Sequence, residues 1–208
     1  MEIVWSERRR AAENLALEQE LLAGGGTWML LYINDPSVVV GRNQTLEAEV
    51  DEAYCRREGI EVVRRQSGGG TVYHDGGNVN YALICDGGQR PLDRDYTAPV
   101  VWALRRMGVG ARAGARGEIT VDGLKVSGSA SMVRRGRVLF HGTLLFSADL
   151  GALDAALRGD ASRRGKGVAS VPGRVGNLRE MLPRRLTVEQ FAESLKAALT
   201  EYFSEHPM

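Results

Sequence analysis

Residues 64–78 read Arg64-Arg65-Gln66-Ser67-Gly68-Gly69-Gly70-Thr71-Val72-Tyr73-His74-Asp75-Gly76-Gly77-Asn78 and connect two apolar runs that are typical of strands. Three glycines in succession are expected where a backbone adopts positive φ or lies against a ligand. A glycine-rich hairpin is the alternative, since 26 of the 208 residues are glycine. Two consecutive arginines at the end of an apolar strand favour the first interpretation, because guanidinium and backbone N–H groups together bind carboxylate or phosphate. We therefore interpret this glycine-rich stretch as a ligand-binding loop.

The composition limits both the architecture and the class of partner. With 43% hydrophobic residues, a chain of 208 residues can form one sizeable core, and we expect a single domain over residues 1–208. A net charge of +1 gives no sign of a nucleic-acid-binding surface, and no apolar run approaches the length of a membrane span. The charged N-terminus lacks a signal-peptide core, and two cysteines in a chain of this size are typical of a reducing compartment. These features predict a cytoplasmic protein without a nucleic-acid or membrane partner.

The hydrophobic periodicity predicts an alternation of helices and hairpins. Helices are expected over residues 6–23, 46–58, 96–107, 149–158 and 187–205. Ser6 is placed as the N-cap of the first helix. Hairpins are expected between the runs 28–33 and 38–40, around Asp122-Gly123, and around Arg135-Gly136. This order predicts an α+β fold, in which a mixed, largely antiparallel sheet is flanked by helices on one face.

Two further stretches place polar residues within apolar strands. Lys125-Val126-Ser127-Gly128-Ser129-Ala130 follows the Asp122-Gly123 turn, and His141-Gly142-Thr143-Leu144-Leu145 lies on a later strand. Alone, Lys125 would be interpreted as a solvated lysine at a strand edge. Together with the glycine-rich stretch, in this order and at this spacing, the motifs resemble the lipoate-protein ligase family. The resemblance continues through residues 32–41 and 168–178, so it covers nearly the whole chain.

The resemblance implies a fold and a reaction. The family shares its catalytic fold, a mixed sheet with the ligand bound across it, with biotin ligases and octanoyltransferases. The implied reaction activates lipoate or octanoate with ATP and Mg²⁺ to an acyl-adenylate, and transfers the acyl group to a lysine of a lipoyl carrier domain. The implied carriers are of the glycine-cleavage H protein or 2-oxoacid dehydrogenase E2 type. Because the last predicted helix ends near residue 205, we expect the accessory domain of many bacterial members to be absent, and a separate small accessory subunit is a further expected partner.

Lys125 is the candidate catalytic residue. Activation of a carboxylic acid by ATP brings two anions together, the carboxylate and the α-phosphate, and one fixed cation between them offsets their repulsion. The three glycines would bring backbone N–H groups to the phosphoryl region or the acyl carbonyl, and Arg65 would add charge-assisted hydrogen bonds. The runs around Tyr32 and Val40 would line a mostly apolar acyl tunnel.

The full set of residues that the resemblance assigns to the lipoate and acyl-adenylate site is larger. It comprises Tyr32, Arg65, Gly68, Gly69, Gly70, Thr71, Val72, Tyr73, His74, Asn78, Asn80, Ser127, Gly128, Ala130, Gly142, Thr143, Val168 and Arg174. His141 is a weaker candidate, for which packing or one structural hydrogen bond is at least as good an explanation as catalysis. Glu118 follows Gly117 where the family usually has Asn-Asp, and its carboxylate is the expected Mg²⁺ ligand.

Two alternatives to a ligase remain open. An octanoyl or lipoyl transferase of this fold commonly forms a thioester on a cysteine. That route would depend on Cys85 or Cys55, neither of which is near Lys125 in the sequence. The other alternative is a non-catalytic subunit that binds the carrier, although an inactive scaffold has no physical need for a cation in an apolar strand.

Residues 159–176 show no helical or strand period, and an aperiodic segment of this length is usually a functional lid or a disordered loop. A flexible basic surface loop is the alternative. We expect a lid that closes over the adenylate, because closure would protect this intermediate from water. Its basic side chains would then be drawn to the phosphate; they are Arg163, Arg164, Lys166 and Arg174.

Overall fold

A five-stranded sheet forms the centre of the structure, a computed structural model that describes residues 1–91 and 93–207. The α-helices of the described residues are α1 (Ala11–Gly24), α2 (Leu46–Glu49), α3 (Glu52–Arg57), α4 (Ala98–Arg106), α5 (Leu150–Ala156) and α6 (Val188–Glu205). The strands are β1 (Glu2–Ser6), β2 (Trp28–Tyr32), β3 (Ser37–Val40), β4 (Glu61–Arg64), β5 (Val72–His74), β6 (Asn78–Asp86), β7 (Arg112–Ala113), β8 (Ile119–Val121), β9 (Leu124–Ser127), β10 (Ser129–Arg134) and β11 (Arg137–Leu145). Within the described ranges, no helix has the length and apolar character needed to cross a membrane.

The strands of the central sheet lie in the order β1-β2-β6-β11-β10. β1 pairs with β2 in parallel and the other neighbours are antiparallel, so the sheet is mixed and largely antiparallel, as the sequence predicted. The register places Tyr32, Asn80 and Thr143 in one row across β2, β6 and β11. Because side chains alternate along each strand, the two faces of the sheet carry different residues.

Helices α4 and α6 cover one face of the central sheet with an apolar core. The rings of Phe146 and Phe191 stack at its centre, with their centroids 4.6 Å apart. A capping box between Thr187 and Gln190 starts α6, which confirms the predicted terminal helix. The core of this face includes Met29, Leu31, Val79, Tyr81, Leu83, Val100, Leu104, Leu195 and Leu199.

Helix α1 covers the opposite face, so helices lie on both faces and the expectation of one covered face was wrong. Leu22 of α1 packs with Leu30 and Ile84 of the sheet in an apolar cluster. On the same side of α1, nearer its N-terminus, Asn14 and Glu18 are fully buried. The α1 face therefore has an apolar half and a polar half.

Two three-stranded sheets complete the fold, in the orders β4-β3-β5 and β7-β8-β9. The glycine loop (residues 65–71) connects β4 to β5. β8 and β9 form the predicted hairpin, and Asp122 and Gly123 have φ of 49° and 79°, the positive values that a type I′ turn requires. The predicted hairpin at Arg135-Gly136 is also present, between β10 and β11. At Gly128 the chain passes from β9 into β10, and so from the small sheet into the central one.

Three sequence predictions of local structure were wrong. The first helix begins at Ala11, because Ser6 ends β1 and donates its hydroxyl to Asn14 Oδ1 at 2.7 Å instead of capping a helix. The runs 28–33 and 38–40 do not pair, because β2 lies between β1 and β6 and has no free edge for β3. The segment 46–58 forms two helices, since Asp51 accepts a hydrogen bond from the Tyr54 N–H and starts α3.

Candidate active site

A cavity of about 440 Å³ lies over the polar half of the α1 face. Strands β2, β6 and β11 form its floor through Tyr32, Asn80 and Thr143. The glycine loop, the β8–β9 hairpin and residues 168–174, which we call the wall segment, surround it. Elements that are distant in the sequence therefore meet at one site.

Most of the residues assigned from the sequence are brought together by this cavity. Those that line it are Tyr32, Arg65, Gly69, Gly70, Thr71, Val72, His74, Asn80, Glu118, Lys125, Gly128, Ala130, Gly142, Thr143, Val168 and Arg174, together with the weaker candidate His141. Four lie behind the lining: Tyr73 packs in the core under β3, Ser127 is fully buried, Asn78 donates to Asn80 Oδ1 at 2.8 Å, and the Gly68 carbonyl accepts from Arg65.

Lys125 is held in the cavity by its backbone and by neighbouring glycines. Its N–H donates to the Arg174 carbonyl at 2.7 Å, which joins β9 to the wall segment. The side chain runs so close to Gly128 and Gly173 that a Cβ at either position would lie 3.4 Å from it. Burial lowers the pKa of the Lys125 ammonium, and the Glu118 carboxylate opposes this shift. Among the described residues no carboxylate is within salt-bridge distance of Lys125, so its charge can meet an anion in the cavity.

Arg65 shapes the glycine loop from behind. Its Nη2 donates to the carbonyls of Gly68 and Gly70, each at 2.6 Å, and its Nη1 donates to the Val39 carbonyl at 3.0 Å. Burial lowers the pKa of Arg65 to about 10, so the guanidinium stays charged at neutral pH. Because the C=O and N–H of a trans peptide point in opposite directions, the N–H of Gly69 faces away from this guanidinium. Most N–H groups of Arg65 thus bind the loop itself, whereas the sequence predicted that they would bind the ligand.

A buried chain of polar groups connects α1 to the glycine loop through His141. The His141 Nδ1 lies 2.8 Å from Glu18 Oε2, and its Nε2 lies 2.7 Å from Ser67 Oγ. Tyr32 donates its hydroxyl to Glu18 Oε1 at 3.0 Å, and Arg65 Nε donates to Ser67 Oγ at 3.0 Å. Since a carboxylate only accepts, Nδ1 of His141 carries a proton. The structural hydrogen bond that was one explanation for His141 is therefore present.

A second polar chain from α1 ends at His74. Asn14 Nδ2 donates to Asn34 Oδ1 at 2.8 Å, which leaves Asn34 Nδ2 to donate to His74 Nδ1 at 2.9 Å. His74 Nε2 is then the protonated nitrogen, and it has no partner among the described protein atoms. Asn80 Nδ2 is unpaired in the same sense. Burial lowers the pKa of His74 to about 3, with smaller contributions from Arg65 and His141, so the ring is neutral. Two buried donors therefore belong to residues that line the cavity.

Glu118 is the sole carboxylate among the described residues that line the cavity. Its Oε2 accepts a hydrogen bond from the Arg116 N–H at 3.0 Å, and its carboxyl carbon packs against Gly114, where a Cβ would not fit. The described chain contains no group of three or more acidic, histidine or cysteine side chains that could hold a metal. The residues present thus offer one oxygen ligand, which suits a cation that takes its other ligands from phosphate and water.

The wall segment contributes Arg174 to the cavity, whereas the other basic residues of 159–176 do not line it. Arg164 is 3.5 Å from Glu49, which ties this part of the segment to α2. Whether the segment moves on ligand binding stays a prediction. The lining also includes residues that the resemblance had not assigned to the site: Leu15, Val39, Arg116, Thr120, Gly123, Ser129, Ala169, Ser170, Val171, Pro172 and Gly173.

Both cysteines are remote from the cavity lining. Cys55 is buried in the core under β3, and Cys85 faces the α4 and α6 side of the central sheet. Burial raises the pKa of both thiols, which disfavours the reactive thiolate. The geometry therefore offers no cysteine nucleophile at this site.

Comparisons with known proteins agree with the fold. Residues 10–200 match the family model described as lipoyl protein ligase A/B catalytic domain. The chain is 39% identical over 188 residues to the lipoate-protein ligase LplJ of Bacillus subtilis, an alignment that covers 88% of this chain and 57% of the relative. It is 40% identical over 184 residues to lipoate–protein ligase 1 of Staphylococcus aureus, covering 86% of this chain and 56% of the relative. The chain thus spans little more than half the length of these relatives.

Solved structures show the same fold. A putative lipoate protein ligase of Thermoplasma acidophilum with bound lipoic acid has a TM-score of 0.79 and 26% identity, over 98% of this chain and 84% of that one. A lipoate-protein ligase A bound with ATP has a TM-score of 0.77 and 27% identity, over 99% and 85%. A third structure, a bi-partite ligase of T. acidophilum described with its E2 lipoyl domain, has a TM-score of 0.79 and 27% identity, over 98% and 81%.

Proposed function

The chain belongs to the lipoyl protein ligase A/B catalytic-domain family, and on that premise we propose that it is a lipoate-protein ligase. It activates lipoate or octanoate with ATP and transfers the acyl group to a lysine of a lipoyl carrier domain. The observation that carries the proposal is the partly buried cation of Lys125, which faces the cavity between the glycine loop and the wall segment.

Lys125 acts in the first half-reaction by holding two anions close together. An oxygen of the substrate carboxylate attacks the α-phosphorus of ATP, and the bond to pyrophosphate breaks with its electron pair on the leaving oxygen. The ammonium offsets the repulsion between the carboxylate and the α-phosphate, and it stabilises the charge of the transition state. The Gly69 N–H, which faces away from Arg65, adds a neutral donor, whereas the Thr71 N–H is taken by Ser170 Oγ.

The second half-reaction needs no nucleophile from the enzyme. The neutral ε-amine of the carrier lysine attacks the acyl carbonyl carbon, AMP leaves with the electron pair of the broken C–O bond, and the amide nitrogen loses a proton. This requirement agrees with the distance of Cys55 and Cys85 from the cavity. It also makes the thioester-forming transferase the weaker alternative.

The acyl chain occupies the part of the cavity between α1 and the glycine loop. Leu15, Val39, Val72 and Ala130 supply apolar contacts there. Mg²⁺, when bound with ATP, would offset charge on the triphosphate, and Glu118 is the residue of this chain that would contribute an oxygen. Arg174 and the wall segment exclude water from the adenylate.

The carriers that fit this chemistry are lipoyl domains of the H protein or E2 type. The solved bi-partite ligase and its E2 lipoyl domain provide a precedent for such a partner and for a separate accessory subunit. We propose both a lipoyl-domain partner and a separate accessory subunit for this chain. We place the reaction in the cytoplasm, where the carriers and ATP are present.

The test uses the full chain with lipoate, MgATP and a panel of carrier domains. Pyrophosphate release and the mass of each carrier are followed together. Release of pyrophosphate with an acylated carrier is expected, and pyrophosphate without an acylated carrier would indicate that the accessory subunit is required for transfer. If the carrier is acylated by an acyl-carrier donor in the absence of ATP, the protein is a transferase and not a ligase.

A further inference from the structure

Gln44 joins the two sides of the cavity without lining it. This residue follows β3 and is 5% exposed. Its Oε1 accepts the Gly41 N–H and the Thr71 hydroxyl, each at 2.9 Å. Its Nε2 donates to Ser170 Oγ at 3.0 Å. Since a backbone N–H can only donate, the contact with Gly41 fixes which end of the amide is oxygen.

Ser170, in the wall segment, forms the other half of this hydrogen-bonded contact. Its Oγ accepts the Thr71 N–H at 2.9 Å, and its own N–H donates to the Glu49 carboxylate at 3.2 Å. A Cβ at Gly70 would lie 3.0 Å from the same Oγ, so the glycine loop and the wall segment are in close contact here. The glycine loop and the wall segment are thus bonded to each other through one serine and one glutamine.

The contacts require an amide at position 44. An amide accepts two hydrogen bonds on its oxygen and donates on its nitrogen, which matches the donors and acceptors that surround it. A carboxylate would lose the donors to Ser170 and would bring a second negative charge toward Glu49, which is also buried. An alanine would leave the Gly41 N–H and the Thr71 hydroxyl without their acceptor.

We propose that Gln44 is a positioning residue, which holds the wall segment against the glycine loop so that both sides of the cavity form together. Under the proposed function, these are the sides that bind the nucleotide and the acyl chain. Without Gln44 the direct contact between these two segments is reduced to the bond from the Thr71 N–H to Ser170 Oγ, so the wall segment opens more often in the free protein and substrate binding has to close it again.

The test compares Gln44→Ala and Gln44→Glu with Gln66→Ala in the full chain. Gln66 is the matched control, because it belongs to the same loop and its side chain is exposed. Hydrogen exchange of residues 163–174 is measured first, without substrates. Both Gln44 variants should raise exchange in this segment by about tenfold, the scale of one lost hydrogen bond, while the control and the α6 amides stay unchanged.

Kinetics then separate positioning from general damage to the fold. KM for ATP and for lipoate should rise by about tenfold, and kcat should stay within about threefold of the wild type. Bound substrates contact both sides of the cavity and so restore the contact between the wall segment and the glycine loop. Should Gln44→Ala fail to fold, Ser170→Ala removes the contact with Gln44 together with the bond from the Thr71 N–H, and should raise exchange in the same segment by at least as much. Wild-type exchange in residues 163–174 of a folded Gln44 variant would overturn the proposal. Exchange is measured without ligands, so this outcome is distinct from a failure of the proposed ligase activity.

Discussion

The two faces of the central sheet use the same strands for opposite purposes. Toward α4 and α6 the strands present apolar side chains, and Phe146 and Phe191 stack within a continuous core. Toward α1 the next residues along the same strands include Tyr32, Asn80 and His141, which line the cavity. Because side chains alternate along each strand, one face of the sheet contributes to the apolar core and the other face contributes to the candidate active site.

The polar face is retained at a free-energy cost that the apolar face does not carry. Buried polar groups destabilise a fold unless hydrogen bonds satisfy them, and those of Glu18 and Arg65 are nearly complete. Within the described chain, the atoms of this face left without a partner include His74 Nε2 and Asn80 Nδ2, and both residues line the cavity. Two unpaired atoms of the described polar network therefore lie at the candidate ligand site, and a further one, Asn78 Oδ1, lies just behind it.

The largest effect on activity should come from Lys125 on the polar side. Lys125→Ala should reduce acyl-adenylate formation by about 10³-fold, equivalent to about 4 kcal/mol, because two anions then meet without a cation. Lys125→Arg should also fail, since a planar guanidinium does not replace a compact ammonium. Pyrophosphate release measures the loss. Lys196→Ala on α6 is the control, and its activity should match the wild type. Full ligation by Lys125→Ala would remove this residue from the mechanism.

The apolar face should show the converse behaviour. Phe191→Ala should lower the free energy of unfolding by about 3 kcal/mol, because it removes a fully buried ring from the core. The kcat of the folded enzyme should change little. Urea unfolding gives the first quantity and kinetics at low temperature the second. Phe203→Ala should cost less, as Phe203 lies in the last turns of α6 and is 9% exposed. A large loss of kcat in folded Phe191→Ala would contradict the separation of the two faces.

Glu18 tests whether the polar network also contributes stability. Glu18→Ala should lower the free energy of unfolding by about 2 kcal/mol, since the Tyr32 hydroxyl and the His141 Nδ1–H lose their acceptor. Glu18→Gln should cost less, because the amide oxygen still accepts one of these bonds. Glu20→Ala, an exposed position on the same helix, serves as the control in urea unfolding. Equal stability of Glu18→Ala and Glu20→Ala would show that the network is energetically neutral.

The sequence predicted the parts of the site that are local in the chain. The glycine loop and Lys125 could be found because turn chemistry and motif order are properties of short segments. Glu18 and Gln44 were missed, since a buried polar residue on a helix or after a strand is indistinguishable in sequence from an exposed one. The pairing of β2 and β3 failed for a related reason: a turn signal shows that the chain reverses, but it does not show that β1 and β6 already occupy both edges of β2.

His74 gives the polar face a pH dependence that the apolar face lacks. Its pKa is about 3 in the folded protein and about 6.5 when exposed, so below pH 6.5 the unfolded chain binds a proton that the folded chain does not. Stability from this group is complete above pH 6.5 and falls as the pH decreases toward 3, by about 2 kcal/mol at pH 5. Urea unfolding of the wild type and of His74→Gln between pH 5 and 7.5 measures the difference. Parallel stability curves for the two proteins would contradict the neutral, buried ring.

The smallest effect should come from the two cysteines, which lie in the cores and away from the cavity. The double variant Cys55→Ser, Cys85→Ser should keep adenylation and transfer within about twofold, because the ligase mechanism uses no thiol. A stability loss of about 1 kcal/mol per site is expected from placing hydroxyl groups in apolar surroundings, so activity is compared at a temperature where both proteins are folded. Mass spectrometry of the wild type with its substrates should show no acyl-thioester. Trapping of such a thioester, together with loss of activity in the double variant, would show that a cysteine in one of the cores reacts and would favour the transferase.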